Sequence, residues 1–174
     1  MEQNLIWVDL MDHEIGYGEK LETHQKNILH RAFSVFLYAN GKMLIQKREK
    51  SKYHSGELWA NSCCSHPRKG EEILEAAGRR LEEELGIKQG ICDLKEIDSF
   101  IYFQAYDGLS EYEFDHVIIA EYDGEVTPNP EEIEDVRWVT YEELEMELME
   151  HPEHFAAWFL IAAPKVLRWL KEEK

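Results

Sequence analysis

The sequence predicts an α/β fold: one domain, residues 1–174, built as an α/β/α sandwich around a mixed sheet that is mostly antiparallel. Three observations carry this. A hairpin signal lies early in the chain, a strongly periodic helix ends on a glycine near the middle, and strand-like segments are followed by helices toward the end. Phe33–Tyr38 and Met43–Gln46 are short runs rich in aliphatic and aromatic residues. They flank Ala39-Asn40-Gly41, and Asn-Gly is the dipeptide that a tight hairpin turn prefers, so these read as two antiparallel strands. From Glu71 to Leu85, the residues Ile73, Leu74, Ala77, Leu81 and Leu85 recur at three- and four-residue intervals, and Gly86 follows as a helix stop. Ile97–Ala105 and Phe114–Tyr122 are strand-like around a loop holding Asp107-Gly108, and Asp135–Val139 is a further short strand after the Pro128-Asn129-Pro130 turn. Tyr141–Met149 and then Glu153–Leu170 read as helical, with Pro164 expected to kink or break the second stretch.

Composition excludes several classes of function. The chain has 174 residues and a formal net charge of −17, which repels nucleic acid and anionic membrane, so an anionic substrate must be met by a local group of cations or by metal. Its longest uncharged apolar stretches are about half of what a bilayer requires. The first fifteen residues hold Asp9, Asp12 and Glu14 without a basic region. The cysteines, Cys63, Cys64 and Cys92, are odd in number with two adjacent, which does not form a secreted disulfide framework. A cytoplasmic monomer or weak dimer, with a small-molecule partner and neither nucleic acid nor membrane, is expected.

Glu82, Glu83 and Glu84 are consecutive, so on a helix they point about 100° apart and only one or two can turn inward. Their setting resembles a Nudix box: Ser65, Glu71, Arg79, Arg80, Leu81, Glu83, Glu84, Gly86 and Ile87 fall on its spacing. Two positions depart. Ser65 stands for the opening Gly, and Arg80 stands for the Glu that follows Arg in hydrolysing members. The resemblance implies a Nudix-type α/β/α sandwich but argues against the usual hydrolysis. Such a box sets carboxylates on a helix where a hard cation can bridge them to diphosphate oxygens, and Glu84 is the expected Mg²⁺ ligand.

Four further segments resemble type 1 isopentenyl-diphosphate isomerases: Glu19–His24, Leu29–Leu37, Trp59–Pro67 and Glu111–Glu113. The resemblance implies a metal-dependent isomerase that interconverts isopentenyl and dimethylallyl diphosphate. His24, His30, His66, Glu111 and Glu113 match the family's metal ligands, although the interval from His24 to His30 is a residue shorter. Three imidazoles with two carboxylates suit Zn²⁺ or Mn²⁺. Glu111 and Glu113, two apart, share a face if they lie on a strand.

Cys64 matches the family's catalytic thiol, while Cys63 reads as a small buried hydrophobe. The implied chemistry adds a proton to the terminal alkene carbon and removes one from C2, with Glu113 as donor and Cys64 as acid/base across the substrate. Trp158 matches a Trp whose ring faces the developing cation. Lys20, Arg48, Lys52 and Ser65 match diphosphate-binding positions. The family also places a Tyr near Tyr102 and Phe103; counting from Ala105 puts Phe103 there, so no phenol role is carried over. The rival readings are a Nudix hydrolase of a diphosphate substrate, which Arg80 opposes, and a structural zinc module, which lacks spaced cysteine pairs.

Overall fold

Alternation along the central strands divides the molecule into two apolar layers. The structure is a computed structural model describing residues 4–51 and 56–173. In β3 (His30–Ala39), Phe33, Val35 and Leu37 enter one core while Phe36 enters the other. In β8 (Leu109–Glu121), Ile118 and Ala120 follow the first set, Val117 and Ile119 the second. A strand points successive side chains to opposite faces, so two buried faces require cover on both sides. One cover is α2 (Ile73–Leu85), through Ala76, Ala77, Leu81 and Leu85. The other is α3 (Tyr141–Glu150) with α4 (Ala157–Glu172), through Leu144, Phe159, Ala163 and Val166. The expected α/β/α arrangement is what the chain adopts.

The sheet is mixed. β3 and β8 run parallel from His30↔Glu113 to Tyr38↔Glu121, and the other pairings are antiparallel: β8 with β7 (Lys95–Tyr106), β3 with β4 (Lys42–Arg48), and β4 with β9 (Ile133–Thr140). Asn40 and Gly41, at φ 52° and 75°, make the turn between β3 and β4 that their sequence predicts. Gly86 closes α2 in the left-handed region at φ 69°.

Two expectations need correction. Asp107-Gly108 is a tight turn, not a longer loop: β8 begins at Leu109, five residues before Phe114, so Glu111 and Glu113 lie on the strand itself. Pro164 does not break the last helix. It sits on the exposed side of a continuous α4, where its ring does not meet the core. The helical stretch is interrupted earlier, between a 3-10 turn at Pro152–His154 and α4, at Phe155-Ala156.

The sequence reading passed over the N-terminal hairpin, β1 (Asn4–Val8) and β2 (Glu14–Glu19), the short α1 (Lys20–Gln25), and the strands β5 (Trp59–Ala60) and β6 (Cys63–Ser65). β2 holds Gly16 and Gly18 in place of apolar residues because the Trp7 indole crosses them; a Cβ on Gly18 would lie 2.0 Å from that ring. Trp7 Nε1 in turn donates to Thr23 Oγ1 at 2.9 Å, tying α1 to the hairpin.

Candidate active site

One cleft of about 650 Å³ opens among β1, β3, β4, β6, β7, β8, α1, α2 and α4. The strand period builds its floor: Glu111, Glu113 and Asp115 recur at every second position of β8 and therefore face one side. Across β3, Ser34 pairs with Cys64 of β6, which brings the thiol to the same side, and Ser34 Oγ donates to Asp115 Oδ2 at 2.9 Å. On β7, Tyr102 lies directly opposite Glu113 and is buried into the cleft, whereas Phe103 is 54% exposed on the far face. Tyr102 is thus the aromatic at the site, and counting from Ala105 misled because one position along a strand exchanges inside for outside.

The histidines converge from three elements: His24 on α1, His30 at the start of β3, and His66 just after β6. Their ring centroids lie 5.0 to 6.2 Å apart. One ligand atom from each of His30, His66, Glu111 and Glu113 lies within 4.8 Å of the others. His24 stands at the edge of this group, with Nε2 3.8 Å from Glu111 Oε1. The one-residue departure in its spacing falls where the geometry is loosest.

The hydrogen bonds argue for a cation here. His24 Nδ1 lies 2.9 Å from Ser110 O, and His30 Nδ1 lies 2.9 Å from Ile28 O. A carbonyl only accepts, so each Nδ1 must be the donor, which turns Nε2 inward as the potential ligand atom. Nε2 of His30 is 3.3 Å from Glu113 Oε2 without hydrogen-bond geometry. Two acceptors that close need positive charge between them, supplied by a ring proton or by a metal ion. The residues present fit a metal ion.

Burial pushes the His24 imidazole down to about 3 and His66 down to about 4, with neighbouring rings adding to the first, so both are neutral ligands near pH 7. Burial alone would raise Glu113, yet the contacts of His30 and His66, the latter at 2.9 Å, hold it well below the usual carboxylate range. Glu111, buried beside that charge, is pushed well above it. Burial drives the Cys64 thiol up to about 12 despite the Arg48 guanidinium, whose Nη1 lies 3.7 Å from its sulfur. Cys64 and Glu113 therefore carry one proton between them, on the sulfur.

At the mouth, Lys20, Arg48 and Arg80 line the cleft with Ser65, and Lys52 lies outside the described residues. Sequence reading took Arg80 only as a departure from the box; its reach into the cleft, one turn before Glu84, was available from helical spacing. Among the three consecutive glutamates only Glu84 is buried. It accepts from Arg80 Nη2 at 2.7 Å, Gln46 Nε2 at 3.3 Å and Cys63 Sγ at 3.5 Å, so Cys63 is a buried donor to that carboxylate. Trp158 forms the far wall, with the Arg48 guanidinium 5.0 Å above its ring.

This fold and site define a NUDIX-type protein, and the NUDIX domain profile matches residues 28–159. An isopentenyl-diphosphate Delta-isomerase from Serratia proteamaculans is 43% identical, with 98% of each chain covered. Isopentenyl-diphosphate Delta-isomerase 2 from Photorhabdus laumondii is 45% identical over 91% of this chain and 89% of its own. The crystal structure of DR0079 from Deinococcus radiodurans matches in fold, at TM-score 0.69 and 23% identity over 86% of this chain and 90% of that one. The chain belongs to the isopentenyl-diphosphate Delta-isomerase family of NUDIX-domain proteins. No helix among the described residues is long and apolar enough to cross a membrane.

Proposed function

We propose that this chain interconverts isopentenyl diphosphate and dimethylallyl diphosphate, acting in the cytoplasm on a free small molecule as a monomer or weak dimer. The observation that supports this most is the meeting of Cys64 and Glu113 in one cleft in opposite protonation states, since moving a double bond needs one group to give a proton and another to take one.

The diphosphate is held at the mouth by Lys20, Arg48 and Arg80, with Lys52 and Ser65 as further contacts. Guanidinium groups fork onto phosphate oxygens, and lysine adds a point charge. The hydrocarbon end then lies between Cys64 and Glu113. One adds a proton to the terminal alkene carbon while the other removes a proton from C2. With the proton held on Cys64 and Glu113 a carboxylate, Cys64 gives its proton to the alkene and Glu113 takes the one from C2, and in the return reaction Glu113 is the donor and Cys64 the acceptor. The tertiary cationic carbon formed on the way is faced by Trp158, whose ring quadrupole favours positive charge and whose bulk excludes water.

His24, His30, His66, Glu111 and Glu113 would hold one Zn²⁺ or Mn²⁺, and Glu84 with the diphosphate would hold Mg²⁺. Such ions, when bound, neutralise phosphate charge and strengthen the acidity of groups facing them. A hydrolase reading is opposed by Arg80, which fills a carboxylate position of the box and neutralises Glu84.

Proton NMR of the protein with isopentenyl diphosphate and both metals tests the proposal. Dimethylallyl signals without phosphate release, lost in Cys64→Ala and Glu113→Gln, are the expected result. A static vinyl spectrum in folded, metal-loaded protein would overturn it.

A further inference from the structure

Histidine and carboxylate also meet away from the cleft, at the junction of α3 and α4. There the chain reads His151-Pro152-Glu153-His154, and Pro152 opens the 3-10 turn. His154 N donates to His151 O at 3.0 Å across the turn, which brings His151 and His154 to one side. Their rings stack with centroids 4.8 Å apart and planes 9° from parallel. His151 Nδ1 lies 3.4 Å from Glu153 Oε1, and His154 Nδ1 lies 3.6 Å from Glu147 Oε2. Glu147 is engaged by Arg137 Nη2 at 2.7 and 2.9 Å, which leaves Glu153 as the more available carboxylate.

We propose that His151, Glu153 and His154 form a second metal site, for a borderline divalent cation of the Zn²⁺ class, with solvent completing its coordination. One ligand atom from each of the three lies within 4.8 Å of the other two. Ligands about 2.0–2.1 Å from a tetrahedral ion are about 3.3 Å apart, so the closure needed is small. All three residues are exposed, so an ion reaches them and their side chains adjust without disturbing the core. Two imidazoles and one carboxylate select Zn²⁺ over Mg²⁺ or Ca²⁺, which prefer all-oxygen sites.

The site's place in the fold gives it a consequence. The turn leads into Phe155, which bridges to Trp59, and Ala156 N donates to Trp59 O at 2.9 Å before α4 carries Trp158 into the cleft. An ion across the turn fixes the entry to that helix. The site itself stands independently of the isomerase reading.

Zn²⁺ titrated calorimetrically into the whole chain tests the proposal, with bound metal counted after gel filtration. The expected result is, beyond any ion held by His30, His66, Glu111 and Glu113, one equivalent that persists in Glu113→Gln and is lost when His151→Ala and His154→Ala are added to that variant, with unchanged far-ultraviolet circular dichroism. Glu153→Gln should weaken the same equivalent while keeping both rings. Zinc content of Glu113→Gln that is unaffected by adding the two alanine substitutions would overturn it, as would a Glu113→Gln protein that binds none.

Discussion

Trp158 Nε1 donates to Asn61 Oδ1 at 2.9 Å, and the same Asn61 donates through Nδ2 to the carbonyls of Cys63 at 2.6 Å and Val35 at 3.2 Å. One wholly buried amide thus joins the indole of the cleft wall to the strand that carries Cys64. Asn61→Ala leaves a buried N–H and two carbonyls without this partner, at a cost of about 1–3 kcal/mol for each unsatisfied group. Turnover is expected to fall about 10–100-fold through misplaced groups while KM changes little. Steady-state kinetics alongside a denaturant midpoint separates the two effects; a KM defect with normal turnover would contradict this.

Cys64 should react slowly with alkylating agents. Burial holds its thiol up at about 12, so the proton is retained near neutrality and the thiolate fraction climbs about tenfold per pH unit below that value. The rate of iodoacetamide modification, followed by peptide mass spectrometry, should still be rising at about pH 10. A plateau below about pH 9 would show that the thiol is not raised.

Chelation should loosen the fold. Neutral imidazoles at His24 and His66 offer lone pairs to a cation that the unfolded chain cannot assemble. A metal present at about a hundred times its Kd stabilises by about 2.7 kcal/mol. Scanning calorimetry with and without chelator should show a lower Tm in its presence, and in Glu113→Gln the difference should shrink.

Arg80→Ala should raise KM for the diphosphate substrate more than it lowers kcat, because the group holds the unreacting end. It should also destabilise, since Glu84 is only 4% exposed and loses its charged partner. An unchanged KM would remove Arg80 from the binding site.

Gly86→Ala tests the helix stop. A side chain at φ 69° costs about 1–2 kcal/mol, and the new Cβ would stand 3.1 Å from Thr127 Cβ. A urea midpoint that falls accordingly, with unchanged substrate affinity, is expected.

Legibility of the sequence followed the range of each signal. Asn40-Gly41 and Gly86 are local instructions, readable because the turn and the helix stop need those residue types. The periodicity of Ile73–Leu85 named Ala77, Leu81 and Leu85 of the buried face of α2 but also Leu74, which is exposed, and Glu84 was the inward member of its acidic run. The resemblance supplied His24, His30, His66, Glu111, Glu113 and Cys64 as a set, which no spacing in the sequence connects. Two things stayed hidden because they depend on pairing. Tyr102 faces Glu113 only through the β7–β8 register, which shifts between Glu96 and Asp98. The strand of Gly16 and Gly18 lacks an apolar pattern because its packing partner, Trp7, belongs to another strand.

The alternation that lines up Glu111, Glu113 and Asp115 also restricts how this gene can change. Adding or deleting one codon between the Asp107-Gly108 turn and Glu111 would reverse all three carboxylates relative to the upstream pairing, turning them toward the apolar cluster of Ile6, Val8 and Leu29 and turning Tyr112 and Phe114 into the cleft in their stead. Viable descendants can lengthen the turn at Asp107-Gly108, where the added residues stay outside the ladder, whereas β8 itself can vary only by replacement of one residue with another. Reading-frame-preserving insertions scanned along the strand would map that boundary.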